Sequence, residues 1–349
     1  MNLSRNEIIE LLSLQGEEEQ QLFNQALKCK LENLDNTVHL RGLIEYSSKC
    51  QKNCFYCGLR ASNEQATRYE MTEAEVLTSA RQAYDLNYGS VAIQCGERNS
   101  EQFCNSIEHL CREIKALSNG ELGITLSCGE QTDEVYARWK AAGAHRYLLR
   151  IESSTESLYY KIHPHDDKHS FNQRIACIES LKRNGYQTGT GVMIGLPFQT
   201  IEHLADDLIF FKDMDVAMVG MGPYIPHPDT PLWQYRDLIP SVSERLHLTY
   251  KMIAALRLIM PKINMVAATA TQTLSPDGRK KSILAGANII MPNLSLEDYR
   301  KDYLIYPDKA AVADTAKAIL QNLDNSMQSI GHKILYGAWG DSRAFTEKH

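Results

Sequence analysis

Residues 49–60 read Lys49-Cys50-Gln51-Lys52-Asn53-Cys54-Phe55-Tyr56-Cys57-Gly58-Leu59-Arg60, so three cysteines stand in one short stretch with C-x3-C-x2-C spacing. A structural zinc ion takes four nitrogen or sulfur ligands, and no fourth ligand is near, since His39 lies upstream on a predicted strand. Iron–sulfur clusters are held by cysteine thiolates, four for a complete set. Three thiolates on a four-iron cube leave one iron open to a small molecule. A chance group of buried or zinc-binding cysteines is the alternative.

The composition is that of an ordinary globular protein. The chain has 349 residues, 43% of them hydrophobic, and a net charge of −6, which argues against a nucleic-acid partner because such partners require a basic surface. Nine cysteines include six without paired spacing, so we expect free thiols in a reducing compartment. The N-terminus lacks the apolar core of a signal peptide, and no apolar run is long enough to span a bilayer. These features predict a cytoplasmic protein without a membrane partner.

Short apolar runs of β-forming residues alternate with longer runs of helical periodicity. The eight predicted strands are Leu40–Tyr46, Ser90–Gln94, Gly123–Ser127, Arg146–Ile151, Thr188–Ile194, Val216–Met221, Ile263–Ala267 and Ala287–Met291. The predicted helices include Thr72–Asn87, Glu101–Leu117, Thr132–Ala141, Phe171–Asn184, Ile201–Asp213 and Val242–Ile259. Such alternation forms βαβ units and a parallel sheet. Eight units predict an α/β fold, a closed (β/α)8 barrel of the TIM type, which occupies about 250 residues; an open doubly wound sheet is the alternative.

The barrel is predicted over residues 37–307. Residues 1–36 are then an N-terminal helical cap, and residues 308–349 a C-terminal helical extension. Thr72 and Glu75 have the spacing of a capping box at the start of a helix. Because barrel active sites form at the carboxyl ends of the strands, the cysteine loop after the first strand stands where a site is expected.

Three further strands end in polar residues. The second runs into Gln94-Cys95-Gly96-Glu97, and the third into Ser127, whose hydroxyl either binds a ligand or caps the next helix. The fourth contains Arg146, Arg150 and Glu152, although a strand buried on both faces is normally apolar. Charges there are costly unless they pair or bind a ligand. The fourth strand therefore holds either a structural Arg–Glu pair or part of a site.

The cysteine spacing, with an aromatic residue directly before the last cysteine, resembles the signature of radical S-adenosylmethionine (SAM) enzymes. The resemblance implies one [4Fe–4S] cluster held by Cys50, Cys54 and Cys57, with SAM on the open iron. In that family the reduced cluster cleaves SAM to methionine and a 5′-deoxyadenosyl radical. The resemblance also assigns SAM contacts to Tyr56, Gly96, Glu97, Ser127, Glu152, Arg174 and Met193.

Longer motifs resemble the HydE family of radical SAM enzymes, which act in the maturation of [FeFe]-hydrogenase. They lie at residues 45–60, 94–97, 146–152, 193–197, 225–231 and 286–293. This resemblance implies action on an iron–carbonyl–cyanide–cysteine precursor during assembly of the two-iron subcluster of the H-cluster. It implies HydG-type and HydF-type maturation proteins as partners, and flavodoxin or ferredoxin as reductant. It implies that Arg146 and Thr269 contact the substrate. Tyr303, from the run of tyrosines after the last strand, is a third expected substrate contact, and the catalytic residue is left unassigned.

Two departures from that family matter. Ile151 stands where HydE proteins usually carry histidine, which puts a substrate role at this position in doubt. Residues 307–312 contain no cysteine, whereas some HydE proteins bind a second cluster after the last strand, so we expect one cluster. Biotin synthase is disfavoured because its additional cluster ligands would fall at Gln94, Thr125 and Gly189. A methylornithine synthase-like mutase is the main alternative, and a non-catalytic iron–sulfur scaffold is another.

Two further expectations concern loops near the barrel mouth. His227 lies in a loop with four prolines, and we expect it to hydrogen-bond within that loop rather than to bind a ligand. Tyr299, Tyr303 and Tyr306 have spacings of four and three, which would place them on one face if the stretch is helical.

Overall fold

A parallel sheet of short strands closes on itself at the centre of the molecule. The structure, a computed structural model, describes residues 3–307 and 316–349. The strands are β1 (Thr37–Ser47), β2 (Ser90–Cys95), β3 (Gly123–Ser127), β4 (Ala144–Leu148), β5 (Gln187–Thr190), β6 (Met193–Ile194), β7 (Met218–Pro223), β8 (Asn264–Ala267), β9 (Ile289–Ile290) and β10 (Lys333–Leu335). Since β1 pairs with β2 on one side and β9 on the other, the ring β1-β2-β3-β4-β5-β7-β8-β9 is closed. The predicted eight-stranded barrel is confirmed.

Helices follow the strands and cover the outside of the barrel. They are α1 (Arg5–Ser13), α2 (Gly16–Leu34), α3 (Glu73–Asp85), α4 (Glu101–Leu117), α5 (Asp133–Ala141), α6 (Glu156–Ile162), α7 (Phe171–Arg183), α8 (Ile201–Asp213), α9 (Val242–Ile259), α10 (Thr269–Leu274), α11 (Gly278–Leu284), α12 (Glu297–Arg300), α13 (Ala316–Gln328) and α14 (Arg343–Thr346). Helices α4, α8 and α9 have the predicted bounds. The predicted capping box is present at α3, where Thr72 and Glu75 bond each other's backbone N–H groups.

Two stretches differ from the sequence-based expectation. The fifth predicted strand is divided into β5 and β6. The condition for a helical face of tyrosines is not met, because α12 ends at Arg300 and leaves Tyr303 and Tyr306 beyond it. Aromatic packing replaces the helix: Tyr299 stacks on Tyr69 with ring centroids 4.7 Å apart, and Tyr303 meets the same ring edge-on at 6.5 Å.

The two ends of the chain are held differently. Helix α1 contributes Ile8 and Leu12 to the main core, while α2 packs Leu22 and Ala26 against α9. Near the C-terminus, β10 pairs with the start of β1. The sequence patterns did not predict β10. The division into a cap, a barrel and a C-terminal extension stays a prediction, and residues 308–315 lie outside the described residues.

A short C-terminal segment closes the end of the barrel opposite the cysteine loop. This floor segment, residues 338–342, lies against Gly89 directly before β2. The buried side chain of Arg41 donates to the carbonyl of Gly340 (3.2 Å). Arg146, also buried, donates to the carbonyl of Trp339 (2.9 Å) and pairs with the carboxylate of Asp341. Two backbone carbonyls and one carboxylate of the floor segment therefore accept hydrogen bonds from the two buried arginines.

Replacing Asp341 with alanine should destabilise the fold, because it leaves the charge of Arg146 buried without that partner. Removing one partner of a buried ion pair costs roughly 3–5 kcal/mol. Because the Asp341 side chain is 26% exposed, we expect a smaller loss of about 2 kcal/mol in the free energy of unfolding, measured with urea. Asp213→Ala, an exposed change at the end of α8, serves as the control. Equal losses in the two variants would contradict the assignment.

The same pair predicts a pH dependence. Burial opposes ionisation of Asp341, but the hydrogen bond from His145 and the charge of Arg146 prevail and hold the pKa of this carboxyl below its usual range. A lowered folded pKa stabilises the fold above the unfolded pKa of about 3.9, and this contribution is lost as the pH falls through the folded value. The stability difference between wild type and Asp341→Ala should thus be constant near neutral pH and shrink in acid.

Candidate functional site

The cysteine loop lies at the carboxyl end of β1 and is fixed by contacts to three other connections. The N–H of Gln51 donates to the carbonyl of Glu97 after β2 (2.9 Å). The N–H of Phe55 donates to the carbonyl of Ile162 at the end of α6 (2.9 Å). The N–H of Leu232 in turn donates to the carbonyl of Phe55 (3.1 Å). The barrel scaffold, rather than regular secondary structure of the loop, therefore sets where the three thiols lie.

Two histidines that the sequence patterns did not single out also hold this loop. His169 accepts a hydrogen bond at Nε2 from the N–H of Asn53 (2.9 Å), so its Nδ1 carries the proton and donates to Asp166 (2.6 Å). His163 Nε2 is 3.2 Å from the hydroxyl of Tyr56. The only signal in the sequence was the recurrence of histidine at positions 163, 165 and 169.

The three thiols are half-buried and chemically alike. Burial raises the pKa of Cys50, Cys54 and Cys57, to about 12 for Cys57, and neighbouring thiols raise it further. Among the described residues no group of three or more His, Cys, Asp or Glu side chains is placed to hold a single metal ion. A four-iron cluster does not require three side chains to converge on one metal ion, because each thiolate binds a different iron. The donor set of three thiols fits such a cluster with one iron open.

Four buried charged residues, one in the cysteine loop and three next to it, form what we term the charge network: Lys52, Glu97, Glu130 and Arg174. Lys52 Nζ lies 2.9 Å from Glu97 Oε1 and 2.8 Å from Glu130 Oε2. Arg174 Nη2 lies 3.5 Å from Glu97 Oε2, and Arg174 Nε bonds Glu130. None of the four side chains is more than 11% exposed, so the charges are largely removed from water and balance one another.

A repeated tripeptide builds the acidic half of the charge network. Cys-Gly-Glu begins at the last residue of β2, Cys95, and directly after β3, at Cys128. The residues before the two tripeptides, Gln94 and Ser127, are paired in the sheet. Gly129 has φ 77°, and a Cβ there would meet Cγ of Glu97 at 2.0 Å, so any side chain would displace that carboxylate. At Gly96 a Cβ would meet the carbonyl of Lys49 at 2.3 Å, so this glycine lets the second strand approach the cysteine loop. Two carboxylates are thereby brought side by side.

The two carboxylates differ in acidity. Burial raises the pKa of Glu97, and Arg174 offsets part of this effect. For Glu130 burial acts in the same direction, but the charges of Arg174 and Lys52 prevail and lower its pKa. The same two cations therefore offset burial fully at Glu130 and only in part at Glu97. Lys52 was missed in the sequence because it looks like an ordinary loop lysine.

Glu152 is connected to the charge network through Arg150, two positions before it in the chain. Arg150 Nη2 donates to Glu152 Oε2 (2.8 Å), and Arg174 Nη1 donates to the carbonyl of Arg150 (2.8 Å). The structural Arg–Glu pair considered from the sequence is thus present, and the backbone of Arg150 contacts Arg174. Ile151 is fully buried in the hydrophobic core.

The remaining residues with predicted SAM contacts take two positions. Tyr56 and Met193 pack in one apolar cluster with Leu196 and Tyr224, next to the cysteine loop. Ser127 is the last residue of β3. The capping alternative for Ser127 is wrong, because Thr132 caps α5 by accepting from the N–H of Val135.

The predicted substrate residues are not gathered in one place. Thr269 begins α10 directly after β8, and Tyr303 is buried against Tyr69. Arg146 reaches the floor segment, where the anion that it meets is Asp341, so its substrate role stays a prediction without support from the structure. The hydrogen bond expected of His227 within its loop is present, since its Nδ1 accepts from the N–H of Asp229 (3.1 Å). The cysteine-free stretch behind the one-cluster prediction lies outside the described residues from position 308 onward.

Comparison with known proteins agrees with this geometry. Residues 44–211 match the Radical SAM superfamily. Over 324 residues, 93% of this chain and 89% of its relative, the chain is 40% identical to the [FeFe] hydrogenase maturase subunit HydE of Thermotoga maritima. The chain belongs to the HydE family of radical SAM enzymes. Members of this superfamily use a [4Fe–4S] cluster on three cysteines together with SAM, and these are the cofactors of this family member.

Two solved structures share the fold of this HydE-family chain. Methylornithine synthase (PylB) has a TM-score of 0.79 at 23% identity, over 97% of this chain and 95% of that one. The [FeFe]-hydrogenase maturase HydG has a TM-score of 0.80 at 20% identity, over 96% and 73%. Identities this low show the common barrel and nothing finer. No described helix has the length and apolar character needed to cross a membrane.

Lys52→Met should lower the stability of the apoprotein, because Glu97 and Glu130 would then share the single charge of Arg174. Loss of one partner from a buried ion pair costs roughly 3–5 kcal/mol, and unfolding in urea under anaerobic conditions measures it. Lys49→Met is the matched control, since Lys49 pairs with Glu70 at a side chain that is 49% exposed. An exposed pair is worth about 1 kcal/mol or less. Equal losses at Lys52 and Lys49 would refute the charge network as a buried, balanced unit.

Proposed function

We propose that this protein acts in the maturation of [FeFe]-hydrogenase, on an iron–carbonyl–cyanide–cysteine precursor of the two-iron subcluster of the H-cluster. The observation that carries the proposal is the 40% identity over 93% of the chain with HydE of Thermotoga maritima. Maturation proteins of the HydG and HydF type are the proposed partners, and flavodoxin or ferredoxin the proposed reductant. A cytoplasmic location accords with nine free cysteines.

We assign the cluster to Cys50, Cys54 and Cys57. When bound, the cluster and SAM supply reductive cleavage to methionine and a 5′-deoxyadenosyl radical. The chain's own residues hold the cluster and orient it. The cysteine loop presents three thiols at the mouth of the barrel, the open end at the carboxyl ends of the strands, and its hydrogen bonds to four other parts of the chain fix it there. Placement of the reacting groups is the protein's part in cofactor chemistry.

Polar groups around the loop are assigned to the charged part of SAM. Glu97 and Glu152 offer carboxylates for an amino group, and Arg174 offers a guanidinium for a carboxylate. Support comes from their grouping: Arg174 contacts both Glu97 and the backbone of Arg150, which holds Glu152. Ser127 ends the strand that leads to Glu130. Bound SAM would replace part of the internal ion pairing, in which Arg174 now pairs with Glu97 and Arg150 with Glu152.

Apolar groups are assigned to the nucleoside part of SAM. Tyr56 and Met193 share a cluster with Leu196 and Tyr224 beside the cysteine loop, which suits a flat, weakly polar base. Gly96 allows the chain after β2 to approach the loop closely. The floor segment, residues 338–342, closes the barrel at the end opposite the cysteine loop, which would limit the entry of water from that side.

The proposed activity is tested by a hydrogenase maturation system that lacks HydE. Adding the reconstituted protein should restore hydrogenase activity, and the precursor made by HydG should stimulate SAM cleavage. Stimulation by lysine instead would favour the methylornithine synthase-like mutase, the second candidate, which shares the barrel with a TM-score of 0.79. Failure of both additions would remove the proposed function while leaving the radical SAM assignment intact.

Cys54→Ala should abolish cluster assembly and SAM cleavage, because two thiolates do not complete the set that leaves one iron open. Iron and sulfide analysis after anaerobic reconstitution measures the cluster, and chromatographic detection of 5′-deoxyadenosine measures cleavage. Cys111→Ala is the matched control, since Cys111 is a buried cysteine on α4 away from the loop. The assignment fails if Cys54→Ala still yields 5′-deoxyadenosine, or if both variants lose the cluster alike.

A further inference from the structure

Glu152 holds an unusual backbone conformation. Its φ of 66° lies in the left-handed region, which a residue with a side chain adopts only when its surroundings enforce it. Its N–H donates to the carbonyl of Gly191 (3.0 Å), and its own carbonyl accepts from the N–H of Met193 (3.4 Å). The turn therefore leaves β4 and joins the chain between β5 and β6. These two bonds hold Glu152 itself, and the residues that follow it are held by a separate contact.

The contact that holds them comes from α8. Asp207 Oδ1 accepts from both the N–H (2.7 Å) and the hydroxyl (2.6 Å) of Ser154, two residues beyond Glu152. The side chain of Asp207 is fully buried, and its Oδ2 has no hydrogen-bond partner among the described residues. No ion pair to it is found within residues 3–307 and 316–349. A carboxyl group is thus buried at considerable cost for the sake of one contact.

Asp207 also lies on the buried face of its helix, where a carboxylate is unexpected. Leu204, Leu208 and Phe211 share the buried face of α8 with it, so periodicity would place an apolar residue there. Asp206, the next residue along the helix, points away and pairs with Arg5 at the surface. Burial raises the pKa of Asp207 to about 7, although the bonds from Ser154 lower it. The group is therefore poised between the neutral and charged forms, and both forms can accept at Oδ1.

We propose that Asp207 is a positioning residue for SAM: by gripping Ser154 it holds the left-handed turn that presents the carboxylate of Glu152 to the ligand. The inference depends on the SAM contact proposed above for Glu152. From the other side, Arg150 bonds both the Glu152 carboxylate (2.8 Å) and the carbonyl of Val192 (2.9 Å). Asp207 fixes the backbone, and Arg150 fixes the carboxylate.

The test compares Asp207→Ala, Asp207→Asn and Asp206→Asn. SAM affinity is read from the change that SAM titration produces in the EPR spectrum of the reduced cluster, and iron content from chemical analysis. Asp207→Ala should weaken SAM binding about tenfold, at unchanged iron content, because the Glu152 turn is released. Asp207→Asn should retain affinity within about twofold, since its amide oxygen accepts the same two bonds. Asp206→Asn, at the surface, should leave affinity unchanged.

A second readout needs no cofactor. In the apoprotein, amide hydrogen exchange of residues 151–155 should be faster in Asp207→Ala than in wild type, and unchanged in Asp206→Asn. Ser154→Ala, which removes only the hydroxyl bond, should give an intermediate loss of SAM affinity. This variant also carries the test if Asp207→Ala does not fold. Unchanged exchange and affinity in Ser154→Ala and Asp207→Ala would overturn the proposal.

A double-mutant cycle separates positioning from a general structural role. In a Glu152→Ala background, Asp207→Ala should have no further effect on SAM affinity, because the group that it positions is gone. An equal loss in both backgrounds would overturn the proposal. If Glu152→Ala by itself leaves SAM affinity unchanged, the SAM contact assigned to Glu152 fails, and this inference fails with it. Neither result bears on hydrogenase maturation, which is scored separately by the maturation assay.

Discussion

Four buried charges at the carboxyl ends of β2 and β3 hold the mouth of this barrel together. Lys52 comes from the cysteine loop, Glu97 and Glu130 from the ends of two strands, and Arg174 from α7. Taking such groups out of water is expensive, and their mutual attraction repays the cost only when nearly every oxygen and N–H finds a partner. The loop that carries the thiols is consequently tied to one arrangement of three other segments.

The two ends of the barrel use charge differently. At the mouth, two cations balance two carboxylates that a polar ligand could partly replace. At the floor, Arg41 and Arg146 are buried against backbone carbonyls and Asp341, all supplied by the C-terminal segment. Such a floor completes the barrel with polar groups drawn from the chain itself. Access for cofactor and substrate is accordingly assigned to the mouth.

Local signals explain which elements could be predicted. Helices α4, α8 and α9 are preceded by the N-cap residues Ser100, Thr200 and Ser241, whose side chains accept from backbone N–H groups of the first turn. Their apolar periodicity then runs to the observed ends. Strand β10 has only three residues and owes its existence to pairing with β1, nearly 300 positions earlier in the chain. No local sequence pattern predicts such a strand, because its strand pairing comes from β1, a distant part of the chain.

The amino-acid sequence by itself determined the barrel, the cysteine motif and the superfamily, because strand periodicity, helix caps and thiol spacing are properties of neighbouring residues. Only the tertiary structure decided that Lys52 joins the charge network, that Arg146 faces Asp341, and that Asp207 grips the turn at Glu152. A buried charge is tolerable only beside its partner, and the identity of that partner is fixed by how the strands close. Closure brings together residues that lie from tens to about three hundred positions apart in the chain.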